Sequence, residues 1–330
     1  MTAGTGEDDI ISRFFRPIAT SPAARGLFDD AALLTPPPGC DLVLTKDALV
    51  AGVHFFPDDS PASVARKALR VNLSDLAAKG AQPLGALLAL ALPRPLDEAW
   101  LEAFALALGA DADLFGCPIL GGDTVSTPGP ISLSITAFGA VPSGGFVPRT
   151  GAAPGQAILV SGTIGDAALG LQLRLDPGRA GFRDLPEAGR AHLADRYLHP
   201  QPRLALADAL RAHAACAMDV SDGLVGDVTK MLAASGCGGL LRASQVPLSE
   251  AARVAIEVEP ELLATALGGG DDYEIAATVP LDAVPMFRAA AAAAGVPVSV
   301  IGETYRGEGL DVVGRDGHPL QLAHGSFSHF

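Results

Sequence analysis

Short runs of aliphatic and β-branched residues alternate with Ala/Leu-rich segments of helical length along most of the chain. One Pro/Gly-rich stretch, VPSGGFVPRTGAAPG from Val141 to Gly155, breaks the alternation, because Pro and Gly supply neither helix nor ladder. Such alternation folds as α/β or α+β, with sheets carrying packed helices. A break near the middle of 330 residues agrees with a prior of roughly 150 residues per domain. The expectation is two domains, residues 1–148 and 149–330, each a sheet with helices packed on it.

Before the break, Leu42 to Leu44, Gly85 to Leu92 and Ile131 to Val141 read as strands. Ser63 to Ala78 and Leu96 to Phe115 read as helices, the second starting behind Pro95. After it, strands are expected over Ala157 to Val160, Tyr273 to Val279 and Pro297 to Gly302. Helices are expected over Asp166 to Leu175, Pro202 to His213, Leu224 to Ala234 and Pro285 to Ala294, with Gly178 to Arg190 a loop-rich insert. No period of about 20 to 50 residues repeats, which excludes a solenoid.

Composition narrows the function classes. With 49% hydrophobic and 18% charged residues, the chain has ample material for buried cores and is not a disordered one. The net charge of −14 repels phosphate backbones, so neither nucleic acid nor an anionic membrane is an expected partner. The longest apolar run, Leu84 to Leu92, lies between Pro83 and Pro93 and falls far short of the roughly 20 residues that span a bilayer. Cys40, Cys117, Cys216 and Cys237 form no CxxC pair and read as reduced thiols. The start, MTAGTGEDD, lacks a basic segment followed by an apolar one. A soluble, cytoplasmic protein is expected.

No Walker-type loop, protein-kinase loop set or helix-opening G-x-G-x-x-G is present. The turn Gly162-Thr163-Ile164-Gly165, between a strand and a helix, reads equally as an anion cradle at a helix N-terminus and as an ordinary strand–helix turn. The distinctive feature is a set of aspartates at the ends of apolar segments. Asp29 and Asp30 follow Gly26-Leu27-Phe28, Asp47 ends the strand LVLTK, Asp75 lies inside VNLSDLAAKG, and Asp123 follows CPILGG. Asp219 and Asp222 flank Ser221 in AMDVSDGL. Singly each reads as a turn or helix-capping carboxylate, Asp222 before GLVGDVTK being a good N-cap candidate. Together they lie where α/β folds gather their sites. Two carboxylates ~4 Å apart repel by about 4 kcal/mol at an effective dielectric near 20, so convergence requires divalent cations. Oxygen donors without a His or Cys cluster favour Mg²⁺, Mn²⁺ or Ca²⁺ over zinc, and Mg²⁺ takes a few carboxylates plus substrate phosphates.

Five segments in order carry a family likeness: LVLTKDALVAGVHF (Leu42 to Phe55), KALRVNLSDLAAKGAQP (Lys67 to Pro83), LGGDT (Leu120 to Thr124), DVSDGL (Asp219 to Leu224) and LGGGDDYEI (Leu267 to Ile275). In sequence and spacing the chain resembles the thiamine-monophosphate kinases of the aminoimidazole-ribonucleotide-synthetase-like superfamily, from near its N-terminus to the terminal SFSHF. The resemblance implies the two-domain fold of that superfamily and ATP-dependent phosphorylation of thiamine monophosphate to thiamine diphosphate, with several Mg²⁺ ions. By motif it implies metal ligation by Asp30, Thr45, Asp47, Asp75, Asp123, Asp219 and Asp222. It implies nucleotide contacts at Gly122, Asp123, Arg149 and Ser221, and substrate contacts at His54, Asp271 and Phe327. It also implies a homodimer paired through the N-terminal domains. No catalytic general base is expected, since a phosphate monoester with a second pKa of ~6 is already a nucleophile near neutrality.

Three positions depart from the family pattern. Lys46 stands where Thr is common, Asp271 where GGEDYE has Glu, and Phe28 where Gly precedes the Asp pair. A protonated Lys cannot ligate metal, so Lys46 either supplies charge or points away. Two other readings compete: another ATP-dependent enzyme of the superfamily, and a non-catalytic nucleotide- or metal-binding protein. The first is disfavoured because residues 1–30 hold neither Cys nor Lys and the chain does not end in Cys.

Overall fold

The computed structural model describes residues 6–320. They form two compact units, one of residues 6–76 and 81–144, the other of residues 77–80 and 145–320. The first unit opens with a helical turn, α1 (Glu7–Ile10), and further short turns to Leu27, followed by an extended segment. Then come β1 (Cys40–Val50), α2 (Pro61–Ala78), β2 (Gln82–Pro93), α3 (Glu98–Phe115), β3 (Ile119–Thr127) and β4 (Ser132–Pro142). The sheet order is β1-β4-β2-β3, antiparallel except for the β2–β3 pair.

Alternation fixes two faces. Leu49, Leu88, Leu90, Leu133 and Ile135 are buried on one, and the cross-strand partners Thr45–Ala137 and Asp47–Ile135 share it, because directly opposed residues point the same way. Helix α2 is buried almost all round, although it carries Lys67, Arg70, Asn72, Ser74 and Asp75. Buried polar groups need partners, and these have them. Arg70 pairs with Asp111 of α3 at 2.6 Å, Asn72 accepts from the Asp47 amide at 3.0 Å, and Asp75 accepts from the Thr45 hydroxyl. Helix α3 starts at Glu98 rather than behind Pro95, because Asp97 accepts from the Trp100 amide as an N-cap. It stops at left-handed Gly116 (φ 62°).

The second unit runs β5 (Gln156–Ser161), α4 (Asp166–Leu175), α5 (Ala180–Arg183), α6 (Glu187–Leu198), α7 (Ala207–His213), β6 (Cys216–Val220), α8 (Leu224–Ser235) and β7 (Gly238–Arg242). It continues with α9 (Glu250–Val258), α10 (Leu262–Gly268), β8 (Glu274–Pro280), α11 (Val284–Ala293), β9 (Val298–Tyr305) and β10 (Leu310–Val313). Its six-stranded sheet has the order β10-β7-β9-β5-β8-β6. Strand β8 is buried nearly throughout, as a strand covered on both faces should be. One core joins α8 to the sheet through Val228, Met231 and Leu232, and another joins α7 and α11 through Leu210 and Phe287. The expected loop-rich insert, Gly178 to Arg190, is instead mostly helical. It holds α5 and the start of α6, which bury Phe182 and Leu193 against Leu169 and Leu262. All four cysteines are free, three of them buried, and burial pushes the Cys117 thiol up to about 12. Among the described residues no helix is long and apolar enough to cross a membrane.

Candidate functional site

In the first unit the expected residues divide between the two faces of the sheet. Thr45, Asp47 and Asp75 gather on the helix-covered face. Asp47 lies inside β1 rather than at its end, because the strand runs on to Val50. On the opposite face stand Lys46, opposed to Thr136, and Asp123, opposed to Ala89, which in turn opposes Ser134. Lys46 therefore points away from Thr45 and Asp47. A cavity of about 800 Å³ covers this outer face, with Asp30, Lys46, Gly122, Asp123 and Thr136 in its wall. Gly122 is needed there, since a Cβ would lie 1.9 Å from the Leu88 carbonyl oxygen. Phe28 is 80% exposed, with the Arg16 guanidinium 4.0 Å above its ring.

His54 sits in the turn after β1. Its Nδ1 accepts from the Val50 amide at 3.1 Å, so the neutral ring carries its proton on Nε2. The Val50 carbonyl accepts from the amides of Val53 and His54. The Lys67 ammonium, on a residue only 3% exposed, donates to the His54 carbonyl at 3.1 Å. Nothing in the sequence near Lys67 marks this contact, which crosses from helix to turn.

In the second unit, Asp219 is buried within β6, paired with Ile275. Ser221 and Asp222 follow in the turn before α8. Asp222 is not the N-cap of that helix; Gly223 holds the position without a side-chain cap. Asp227, inside the helix, reaches back to the turn instead: its Oδ2 accepts from the amides of Asp222 (2.8 Å) and Gly223 (3.2 Å). Lys230 reaches Asp222 at 2.6 Å and Asp227 at 3.0 Å. Burial raises the Asp227 carboxyl above its ordinary range, against the pull of the Asp222 amide and Lys230. The i,i+3 spacing of Asp227 and Lys230 was the available signal for this pair.

Asp271 adopts φ 73° and Tyr273 φ 51°. Tyr273 thus stands in the loop, outside the strand expected to include it, and β8 begins at Glu274. The candidate anion cradle before α4 is filled from within the chain. Asp272 Oδ2 accepts from the Gly165 amide at 2.7 Å, and its Oδ1 lies 3.4 Å from that of Ala167. Burial pushes the Asp272 carboxyl well above the ordinary range, and nearby Asp166 and Glu274 push the same way. Arg149 is exposed in the segment before β5, and Phe327 lies outside the described residues.

Among the described residues, no group of three or more His, Cys, Asp or Glu side chains is gathered to hold a metal ion. The carboxylates that line the outer cavity, Asp29, Asp30 and Asp123, are oxygen donors. That donor chemistry fits Mg²⁺, which needs only one or two protein carboxylates when phosphates and water complete its shell.

Residues 28–141 match the family model of the AIR synthase related protein N-terminal domain, and residues 153–315 that of the C-terminal domain. The chain is 47% identical to the thiamine-monophosphate kinase of Caulobacter vibrioides over 322 residues, covering 96% of this chain and 89% of the relative. Its fold is similar to the crystal structure of thiamine-monophosphate kinase from Stenotrophomonas maltophilia, with TM-score 0.82 and 38% identity over 95% of this chain and 96% of that one. It is also similar to AaThiL complexed with AMPPCP and TMP, with TM-score 0.78 and 29% identity over 98% and 97%. With both family models matched and a curated relative nearly half identical over nearly its full length, the chain belongs to the thiamine-monophosphate kinases, within the AIR synthase related proteins.

Proposed function

We propose that this chain transfers the γ-phosphoryl group of ATP to thiamine monophosphate, giving thiamine diphosphate and ADP, with Mg²⁺ as the resident cation. The observation that carries the reading is the outer cavity, where Asp30 and Asp123 share a wall with Lys46 and Gly122, in a chain that is 47% identical over 322 residues to a thiamine-monophosphate kinase. Mg²⁺ bound at carboxylates such as Asp30 and Asp123 supplies charge neutralisation for the crowded phosphates.

The chain's own residues supply binding and position. Gly122 lets β3 lie close against β2 in the cavity wall, where a Cβ would strike the Leu88 carbonyl oxygen, and Lys46 puts a cation on the cavity face. Arg149 offers a fork that binds phosphate oxygens in pairs. His54, its Nδ1 engaged by Val50, presents Nε2–H as a donor to thiamine monophosphate, and Asp271 and Phe327 are further proposed contacts to that substrate by family likeness. Ser221 is a further proposed nucleotide contact, and Thr45, Asp47, Asp75, Asp219 and Asp222 are further proposed metal ligands by the same family likeness. No side chain need remove a proton, because the acceptor phosphate arrives ionised. The work is in-line positioning.

A homodimer paired through the first unit is part of the same reading. Its outer sheet face exposes Leu42, Leu44 and Val125, Leu44 to 61%, and exposed apolar surface of this kind favours association. The cytoplasm, where ATP is plentiful, is the proposed location.

The test is chromatographic detection of thiamine diphosphate from thiamine monophosphate, ATP and Mg²⁺, with and without EDTA. Product that vanishes with EDTA is expected. Nucleotide binding without product overturns the reading in favour of a non-catalytic role.

A further inference from the structure

Two loops of the second unit interlock through backbone that few conformations satisfy. Asp271 and Tyr273 are left-handed at φ 73° and 51°, a region costly to side chains unless their surroundings over-determine it. Their amides have fixed partners: Asp271 donates to the Ser221 carbonyl and Tyr273 to the Val220 carbonyl, each at 2.8 Å. Side chains are excluded where the loops cross. A Cβ on Gly270 would lie 2.3 Å from the Ser221 oxygen, and one on Gly223 2.4 Å from the Gly268 oxygen.

Between the two left-handed residues stands Asp272, and its carboxyl group reaches the other way, to the first amides of α4 at Gly165 and Ala167. That ten-residue helix has no side-chain cap at its N-cap position, so the Asp272 oxygens satisfy amides that would otherwise lack an intrahelical partner. The fit is close on the helix side as well. A Cβ on Gly269 would lie 2.5 Å from that of Ala168, and one on Gly165 2.3 Å from that of Ala266.

We propose that Asp272 is a positioning residue for substrate binding: by capping α4 from the Gly268–Tyr273 loop, it sets the left-handed turn at Asp271 and, through it, the Val220–Asp222 segment. The inference rests on the reading that Asp271 meets thiamine monophosphate and Ser221 meets the nucleotide. A helix cap alone asks only for an acceptor, whereas positioning asks for an acceptor on a side chain of the right length. Asn keeps the length and one acceptor oxygen, while Glu keeps both acceptors and adds a methylene.

Steady-state kinetics with both substrates on Asp272→Asn, Asp272→Glu and Asp271→Ala, with circular dichroism to confirm folding, test this. Asp272→Glu is expected to raise KM for thiamine monophosphate and ATP about tenfold while kcat changes by less than about threefold. Asp272→Asn is expected within about twofold of wild type in both. If Asp272→Glu does not fold, Asp272→Ser, whose shorter side chain no longer brings its oxygen to the Gly165 amide, takes its place with the same pattern expected. Wild-type KM values in the folded Glu or Ser variant, or an Asn variant as impaired as it, overturn the positioning role. Asp271→Ala separates the two layers. An unchanged KM for thiamine monophosphate there removes the underlying substrate contact, and with it the inference. A raised KM there beside a silent Asp272→Glu removes the positioning role alone.

Discussion

Glu274 opens β8 as a nearly buried carboxylate, its side chain 5% exposed and paired with Arg203 at 23%. One oxygen accepts from Arg203 Nε at 2.7 Å and from the Ser161 hydroxyl, and the other accepts from Arg203 Nη2. Ser161 in turn accepts from the Ile275 amide at 2.8 Å. Gly162 makes room for the pair, since a Cβ there would lie 1.9 Å from the Glu274 Oε1. Glu274→Ala deletes three hydrogen bonds to the carboxylate, two from Arg203 and one from Ser161, and bonds to a charged group contribute about 1.5–3 kcal/mol each. It leaves the guanidinium without its counter-charge, a loss that typically reaches 3–5 kcal/mol in a buried pair. Partial exposure of Arg203 lets water recover some of this, so about 3 kcal/mol is expected. Arg203→Met should cost a similar amount, but Glu274→Met with Arg203→Met only about 1 kcal/mol, because neither charge is left unmatched. Urea unfolding followed by far-ultraviolet circular dichroism measures all three. Single variants costing under about 1 kcal/mol, or a double variant equal to their sum, would refute the reasoning.

Asp272→Asn should stabilise the fold at neutral pH. Burial raises the folded carboxyl's pKa, so wild-type stability falls as pH rises from the unfolded value of ~3.9 toward the folded one, and the gap to the Asn variant opens over that window; parallel pH-dependent unfolding curves would contradict this. His54→Asn keeps an acceptor for the Val50 amide and loses only the Nε2 end, so KM for thiamine monophosphate should rise about tenfold at an unchanged melting temperature. An unaltered KM would remove His54 from the substrate subsite. Asp47→Asn and Asp123→Asn should each abolish turnover in folded protein, and near-normal rates in both would sink the ligand assignment. Leu44→Asp should convert dimers to monomers by light scattering; a monomeric parent chain would dispose of the proposed pairing.

Much of the architecture was legible because its signals are local. The predicted helix over Asp166 to Leu175 coincides with α4, and alternation marked β4 to within a residue at each end. The helices α5 and α6 were hidden by Gly178, Gly181 and Pro186, which punctuate the sequence although tertiary burial of Phe182 and Leu193 holds the segment helical. The site was legible as residue types, but its pairings were not. Asp75 finds Thr45 across 30 positions, Asp272 finds Gly165 across 107, and Lys67 finds the carbonyl of His54 through the turn after β1. Pairings of that range depend on topology, which no window of neighbouring residues encodes. The Gly162–Gly165 turn shows the consequence: the Gly165 amide does meet an acidic group, and the chain itself provides it as Asp272.

The two-faced arrangement of β1 makes its length matter more than its composition. Deleting Leu44 would move Lys46 into the place of Thr45 beside Asp75 and carry Asp47 across to the outer cavity, exchanging hydroxyl for ammonium in a single step. Removing two residues would keep every later side chain on its present face. Among homologues, gaps in this strand should therefore occur in even numbers or not at all, while substitutions at Leu42 and Leu44 are tolerated by the fold.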